Sequence, residues 1–279
     1  MIQDIAPHQF YNSYDPDAAP DGSSLVYCFD GSTLLIRRTP EDFFLPAVSE
    51  LPAELPLQYL FRIDDVSFFL AKELPETVPE GYQYEPFTFL RKTAFGSTSR
   101  VFAASTAMQL SGWYRDNRFC GTCGSRMVHS GRERAMLCPE CGRTVYPRIV
   151  PAVIVAVLNG DKILLTRYAK APGNVTFNAL VAGFTEIGET LEETVAREVM
   201  EEVGLKVKNI RYYKSQPWAF ADDILAGFYC DVDGDDTIRL DTTELRTAVW
   251  TAPEDVVLQP NDFSLTNEMM KRFKEKKPC

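Results

Sequence analysis

The segment from Gly183 to Leu205, GFTEIGETLEETVAREVMEEVGL, restricts the fold more than any other part of the chain. ETLEETVAREVMEEVG reads as a helix, because Leu191, Val195, Val199 and Val203 recur every four residues and make an apolar stripe that has to be covered. Glu198, Glu201 and Glu202 are spaced three and four apart, so they share another face. Like charges at that spacing repel, and a bound divalent cation is the strongest compensation available. Carboxylate oxygens suit Mg²⁺ or Mn²⁺, which keep water ligands and also bind substrate phosphates. On clustering alone, a solvated acidic face is the plainer alternative.

A second constraint lies upstream. CGTCGSRMVHSGRERAMLCPECG sets Cys120, Cys123, Cys138 and Cys141 as two C-x-x-C pairs with 14 residues between them. Paired cysteines at that spacing converge on one ion, and four thiolates favour tetrahedral Zn²⁺. Such a site has no open coordination position, so it is expected to be a structural clip. Arg126, Arg132, Arg134 and Arg143 leave a nucleic-acid-binding ribbon as the alternative. His129 is a spare ligand that four cysteines make unnecessary. The remaining Cys28 and Cys230 sit in apolar runs and are expected to be buried, which fits a reducing compartment, here the cytoplasm.

The rest of the chain arranges itself around these two features. Residues 1–95 read as a β-rich domain. SSLVYCFDGSTLLIRR is a strand, an Asp-Gly turn and a strand, and LQYLFRIDDVSFFLAKEL repeats the design around Asp64 and Asp65. Residues 96–146 combine a helix, STSRVFAASTAMQLSGWYRDN, with the cysteine ribbon. Residues 147–279 turn to mixed α/β, opening with the hairpin IVPAVIVAVL–NGD–KILLTR. DVDGDD, residues 231–236, is expected to be a charged hairpin turn. The net charge of -10 argues against bulk binding to nucleic acid backbones. No apolar run is long enough for a membrane span, MIQDIAPHQF has no leader pattern, and Cys279 lacks the residues that prenylation needs.

The acidic segment also resembles the Nudix box, G-x5-E-x7-R-E-U-x-E-E-x-G-U with U a bulky apolar residue. Gly183, Glu189, Arg197, Glu198, Val199, Glu201, Glu202, Gly204 and Leu205 fill every defined position. The resemblance implies an α/β/α sandwich, so that the fold class is α+β with a β-rich N-terminal domain, a zinc ribbon and a C-terminal Nudix domain. It implies that Glu198 and Glu202 bind metal, and that Glu201 is a further ligand or the base that activates water. It also implies that Arg197 pairs with Glu189 to hold the loop and helix, and that Gly183 offers a carbonyl to the metal.

Beyond the box, Ser215, Gln216, Pro217 and Trp218 match the core of S-Q-P-W-P-F-P-x-S, found in the NADH pyrophosphatase branch of the Nudix hydrolases. That branch also carries a zinc ribbon and a β-rich N-terminal domain in this order. The resemblance implies hydrolysis of NAD(H) to nicotinamide mononucleotide and AMP, removal of NAD caps from RNA by some members, and a homodimer. Phe184 and Trp218 are expected to stack on planar rings, and Gln216 to bond a base or ribose. Glu244 stands where the branch has a further metal-binding glutamate.

Where the branch continues P-F-P-x-S, this chain has Ala219, Phe220, Ala221, Asp222 and Asp223. Two acids near an anion site would repel substrate. ADP-ribose or another dinucleotide therefore competes with NAD(H) as substrate. A non-hydrolytic ligand sensor or nucleic-acid-binding regulator on the same scaffold is the competing class, and it would be favoured by degenerate box acids, of which there are none.

Overall fold

The computed structural model describes residues 1–92, 96–169 and 177–277, which leaves Cys279 outside. The chain forms two compact units, one of Ile2–Arg148 and one of Ile149–Cys279 with Met1.

The first unit begins with β1 (Phe10–Tyr11), β2 (Leu25–Tyr27), β3 (Phe29–Asp30), β4 (Thr33–Arg38), β5 (Phe43–Phe44), β6 (Leu57–Ile63), β7 (Val66–Ala71) and β8 (Gln83–Pro86). They make two four-stranded sheets, β1-β6-β7-β2 and β3-β4-β5 with β8 on β4. β6 and β7 form the expected hairpin. Its turn residue Asp64 has φ 51°, and its carboxylate accepts a 2.9 Å bond from the Gln9 N–H and meets the His8 ring at 2.7 Å.

The other expected hairpin is only half present. β3 pairs with β4, whereas β2 crosses to the neighbouring sheet and runs parallel to β7. The reason lies in the apolar run itself. Val26, Cys28 and Leu35 are all fully buried in one cluster with Leu51 and Tyr82, so the segment serves two sheets instead of one half-exposed hairpin.

α1 (Phe89–Lys92) and α2 (Thr98–Asp116) follow. The Ser97 side chain caps α2 by accepting from the Arg100 N–H, and the helix buries Val101, Phe102, Ala104, Ala107, Leu110 and Trp113. β9 (Val128–His129), β10 (Met136–Leu137) and β11 (Thr144–Val145) form the small ribbon sheet. Arg134 Nη2 donates to the Leu60 carbonyl at 2.5 Å, and the Tyr14 hydroxyl to the Ser130 carbonyl at 2.9 Å, tying the ribbon to the first sheet.

The second unit contains β12 (Val150–Asn159), β13 (Lys162–Tyr168), β14 (Val181–Phe184), α3 (Leu191–Val203), β15 (Val207–Trp218), β16 (Asp223–Val232), β17 (Leu245–Thr251) and α4 (Leu265–Lys274). The sheet order is β15-β16-β12-β13-β17, with β14 on β12, and β12 runs parallel to β16. β12 is apolar on both sides because helices cover both faces. Val153, Val155 and Val157 pack with Val195, Val199 and Val203 of α3. Ala152, Ile154 and Ala156 pack with Leu265, Met269, Met270 and Phe273 of α4. This alternation is the α/β/α sandwich.

DVDGDD is not a hairpin turn. β16 ends at Val232, and the next strand, β17, pairs with β13. The acids begin a crossover that is held where Asn159 donates to Asp236 at 2.7 Å. No helix among the described residues is long and apolar enough to cross a membrane.

α4 approaches the sheet closely at Gly227, where an added Cβ would lie 2.9 Å from Met269 Sδ and 3.3 Å from the Lys214 carbonyl oxygen. Because the latter is backbone, Gly227→Ala is expected to cost about 1–3 kcal/mol in urea unfolding. A change below about 0.5 kcal/mol would mean that α4 does not pack as described.

Candidate active site

The chemistry of the second unit starts from how α3 is bounded. Thr190 is its N-cap. The Thr190 Oγ1 accepts from the Glu193 N–H at 3.2 Å, while the Glu193 carboxylate accepts from the Thr190 N–H at 2.7 Å. Glu193 is therefore half of a capping box, of which T-L-E-E is the sign in the sequence. Gly204, at φ 70°, closes the other end. These limits set Glu198 and Glu202 one turn apart beside the valine stripe.

The three glutamates do not share one environment. Glu198 and Glu202 turn inward, 9% and 2% exposed, whereas the Glu201 side chain is 59% exposed. Burial raises the Glu198 carboxyl, with Arg197 opposing the shift. Burial pushes Glu202 up to about 8; an Ala182 N–H opposes this, and Glu198, Glu244 and Asp241 add to it.

Arg197 holds the cluster. Its Nε and Nη2 donate to the two oxygens of Glu189 at 2.6 and 3.0 Å. Its Nη1 donates to Glu198 at 2.7 Å and Glu201 at 2.9 Å, and its Nη2 to the Phe184 carbonyl at 2.9 Å. All five N–H groups of the guanidinium are thus used. Arg197 takes Glu189 down to about 2.

Glu198 lies directly over Gly183, where an added Cβ would overlap the carboxylate carbon and both of its oxygens. Glu202 Oε2 is buried without a hydrogen-bond partner. Glu244, just ahead of β17, is exposed and close enough to act electrostatically on both inward acids. An orphaned carboxylate oxygen among three further carboxylates is a donor set that fits a small hard cation. These acids are gathered less tightly than the cysteines, which alone among the described residues bring all ligand atoms within 4.8 Å of one another.

In the ribbon, the Sγ atoms of Cys120 and Cys141 lie 3.6 Å apart, and those of Cys123 and Cys138 3.4 Å. The edges of a tetrahedron with Zn–S bonds of about 2.3 Å are about 3.8 Å, so the cage has the size zinc requires. The knuckles repeat one design. The Gly124 N–H donates to the Cys120 carbonyl and the Gly142 N–H to that of Cys138, with φ of 76° and 74° at the glycines. His129 packs its ring 5.0 Å from that of Tyr114, and burial takes it down to about 4. Of the four arginines, Arg134 turns inward to Leu60, and Arg143 donates to Thr122 at 2.7 Å.

The S-Q-P-W segment ends β15. Phe184 is 52% exposed, Ser215 is exposed, and Trp218 is half-buried with its ring edge-on to Phe220 at 5.1 Å. Gln216 departs from its expected role. It is fully buried, donating to the Phe263 carbonyl at 2.8 Å and accepting from the Leu265 N–H at 2.6 Å. Its amide fixes the start of α4 and is not offered to a ligand. The two acids that replace the family's loop also differ from a simple repulsive pair. Asp222 forms the turn at φ 61°, while Asp223, 7% exposed and opposite Trp218 in the ladder, is pushed up to about 6 by burial and then by Asp222.

Comparison with known proteins gives two family matches, the NUDIX domain over residues 148–273 and the NADH pyrophosphatase zinc ribbon domain over residues 115–146. The chain is 47% identical over 147 residues to the NAD-capped RNA hydrolase NudC of Pectobacterium atrosepticum, covering 53% of this chain and 55% of that one. It is 44% identical over 157 residues to the protein of the same name from Escherichia coli K12, covering 56% and 60%. The match thus spans little more than half the length of these curated relatives. In fold, the chain is similar to a NUDIX hydrolase from Nitrosomonas europaea, with a TM-score of 0.50, 23% identity, and coverage of 58% of this chain and 95% of that one.

Because the space over Gly183 belongs to Glu198, Gly183→Ala is expected to displace that carboxylate. Mn²⁺ binding followed by electron paramagnetic resonance should weaken by about 10–100-fold. Unchanged binding would show that Glu198 does not help hold the ion.

Proposed function

The chain is a Nudix-domain protein with a zinc ribbon of the NADH pyrophosphatase type, and we propose that it hydrolyses the diphosphate bond of NAD(H) to nicotinamide mononucleotide and AMP, with the NAD cap of RNA as a second substrate. The observation that carries this reading is the buried, unpartnered oxygen of Glu202 beside Glu198, in a loop and helix clamped by Arg197. Burying carboxylates in this way is unfavourable unless a cation completes the site.

In this proposal Glu198, Glu202 and Glu244, with the Gly183 carbonyl, hold Mg²⁺ or Mn²⁺. A bound ion of this kind neutralises a diphosphate and makes water more acidic. Glu201, exposed at the rim, is a further ligand or the group that takes the proton from water as it attacks phosphorus. Arg197 and Glu189 keep the acids in position, and Phe184 and Trp218 flank the planar rings of the substrate. Support for the substrate comes from the NudC relatives and from Ser215–Trp218. The same proposal includes zinc in the ribbon, a cytoplasmic location, and the homodimer implied by the branch. The Asp222–Asp223 loop favours a second substrate reading, ADP-ribose or another dinucleotide, on the same chemistry.

Incubation with NADH and Mg²⁺ is expected to release AMP, read by chromatography beside NAD⁺, ADP-ribose, diadenosine polyphosphates and NAD-capped RNA. Tight binding with no AMP from any of them would favour a ligand sensor. Glu202→Gln is expected to lower turnover by about 100-fold or more, since a metal-binding charge is lost. It should not lower the melting temperature, because a neutral amide is easier to bury than a carboxylate. Normal turnover in that variant would reject the role of Glu202.

Atomic emission is expected to find close to one zinc per chain, and Cys138→Ser should lose most of it together with thermal stability. A zinc-free native chain of unchanged stability would remove the ribbon metal from the account.

A further inference from the structure

β13 sends Leu164, Thr166 and Tyr168 to the sheet face that α3 covers. Their partners across the ladder are Trp250, Ala248 and Leu245, and all three of these belong to or pack on the cluster built around the valines of α3. The ladder shifts register between Arg167 and Tyr168, so the last pair sets Tyr168 opposite Leu245 and next to Glu244. The Ala169 N–H donates to the Glu244 carbonyl at 2.8 Å, which fixes that end of β13 against the residue that carries the outlying acid. A register shift of this kind commonly re-aims a side chain at the edge of a site.

Tyr168 therefore stands at the acid cluster. Its surroundings confirm the placement. Burial and the charges of Glu202, Glu244 and Glu198, in that order, push its phenol up to about 12. The residue is nevertheless 40% exposed, and none of the described residues hydrogen-bonds its hydroxyl. Among the described residues it is a neutral donor without a hydrogen-bond partner, set beside three carboxyl groups.

An anion seated on ions held by these acids needs donors that do not themselves pair with the acids. A lysine or arginine at this place would be drawn to the carboxylates, and another acid would repel the anion. A phenol does neither. We propose that the Tyr168 hydroxyl donates a hydrogen bond to a non-bridging oxygen of the substrate diphosphate. This rests on the reading of the site as a diphosphate hydrolase, and it makes Tyr168 a catalytic residue that touches the substrate without holding the metal. Its position in β13, outside the acidic box and the S-Q-P-W segment, gave no sign of this in the sequence.

Tyr168→Phe removes one oxygen and keeps the ring. With NADH and Mg²⁺, kcat/KM is expected to fall about 10–100-fold, somewhat less than the loss of a fully enclosed oxyanion donor. Calorimetric binding of the diphosphate mimic α,β-methylene-ADP in Ca²⁺ should weaken about fivefold or more. Mn²⁺ binding to the protein alone, read by paramagnetic resonance, should stay within about twofold, because no ion ligand is removed.

Unchanged affinity for the mimic would overturn the contact. An equal loss of Mn²⁺ affinity would also overturn it, since the phenol would then act through the carboxylates. Release of no AMP by the parent chain would sink the hydrolase reading, while the mimic and Mn²⁺ measurements still decide the tyrosine. No binding of the mimic to the parent chain would overturn the proposed contact, while AMP release would still decide the hydrolase reading.

Discussion

The second unit depends on the guanidinium of Arg197. It meets Glu189 through two nitrogens, Glu198 and Glu201 through a third, and the carbonyl that ends β14 at Phe184. The loop before α3, the helix itself and the edge of the sheet are thus joined at one planar cation. Lysine offers a point charge with three donors and could not span these groups, so the fork geometry of arginine is required. The same contact solves an electrostatic problem. Three acids of α3 repel one another, and Arg197 lies between two of them and leaves Glu202 turned inward.

That division gives the acids different chemistry. Glu201 is exposed and bonded to Arg197, so its charge is both solvated and paired. Glu202 is buried, holds one backbone N–H and has one oxygen free, so its charge is costly unless a cation arrives. Glu198 is intermediate, shared between Arg197 and the space over Gly183. The missing side chain at Gly183 is therefore part of the site. It leaves volume that a carboxylate fills, which is a stronger reason for glycine than backbone freedom at this position.

Much of this was legible in the sequence because helical periodicity is local. The stripe of Leu191, Val195, Val199 and Val203 and the spacing of the acids fix the two faces of α3 without reference to the rest of the chain. The cysteine pairs are equally local. What was missed depended on partners distant in sequence. β2 pairs with β7, and the whole run Val26, Tyr27 and Cys28 is buried, which the pattern of a half-exposed hairpin does not reveal. Gln216 sits in a motif associated with substrate, yet its amide meets Phe263 and Leu265, almost fifty residues on. The Glu193 cap, by contrast, is local and follows the T-x-x-E pattern that opens α3.

The loop after Trp218 shows how a departure from a family pattern can alter a site without adding simple repulsion. Asp222 takes a left-handed turn and accepts from the Val150 N–H through its carbonyl, so this residue is used as backbone. Asp223 is buried, with Oδ1 unpartnered, and burial favours its neutral form. A carboxyl in that state can donate or accept a hydrogen bond, whereas an ionised one only accepts. Beside Trp218 in the ladder, it therefore tunes polarity next to an aromatic surface more than it repels phosphate. In the function proposed above, any change in substrate preference carried by this loop is expected to act on a ring placed against Trp218, and not on the diphosphate, which that proposal assigns to the acids of α3.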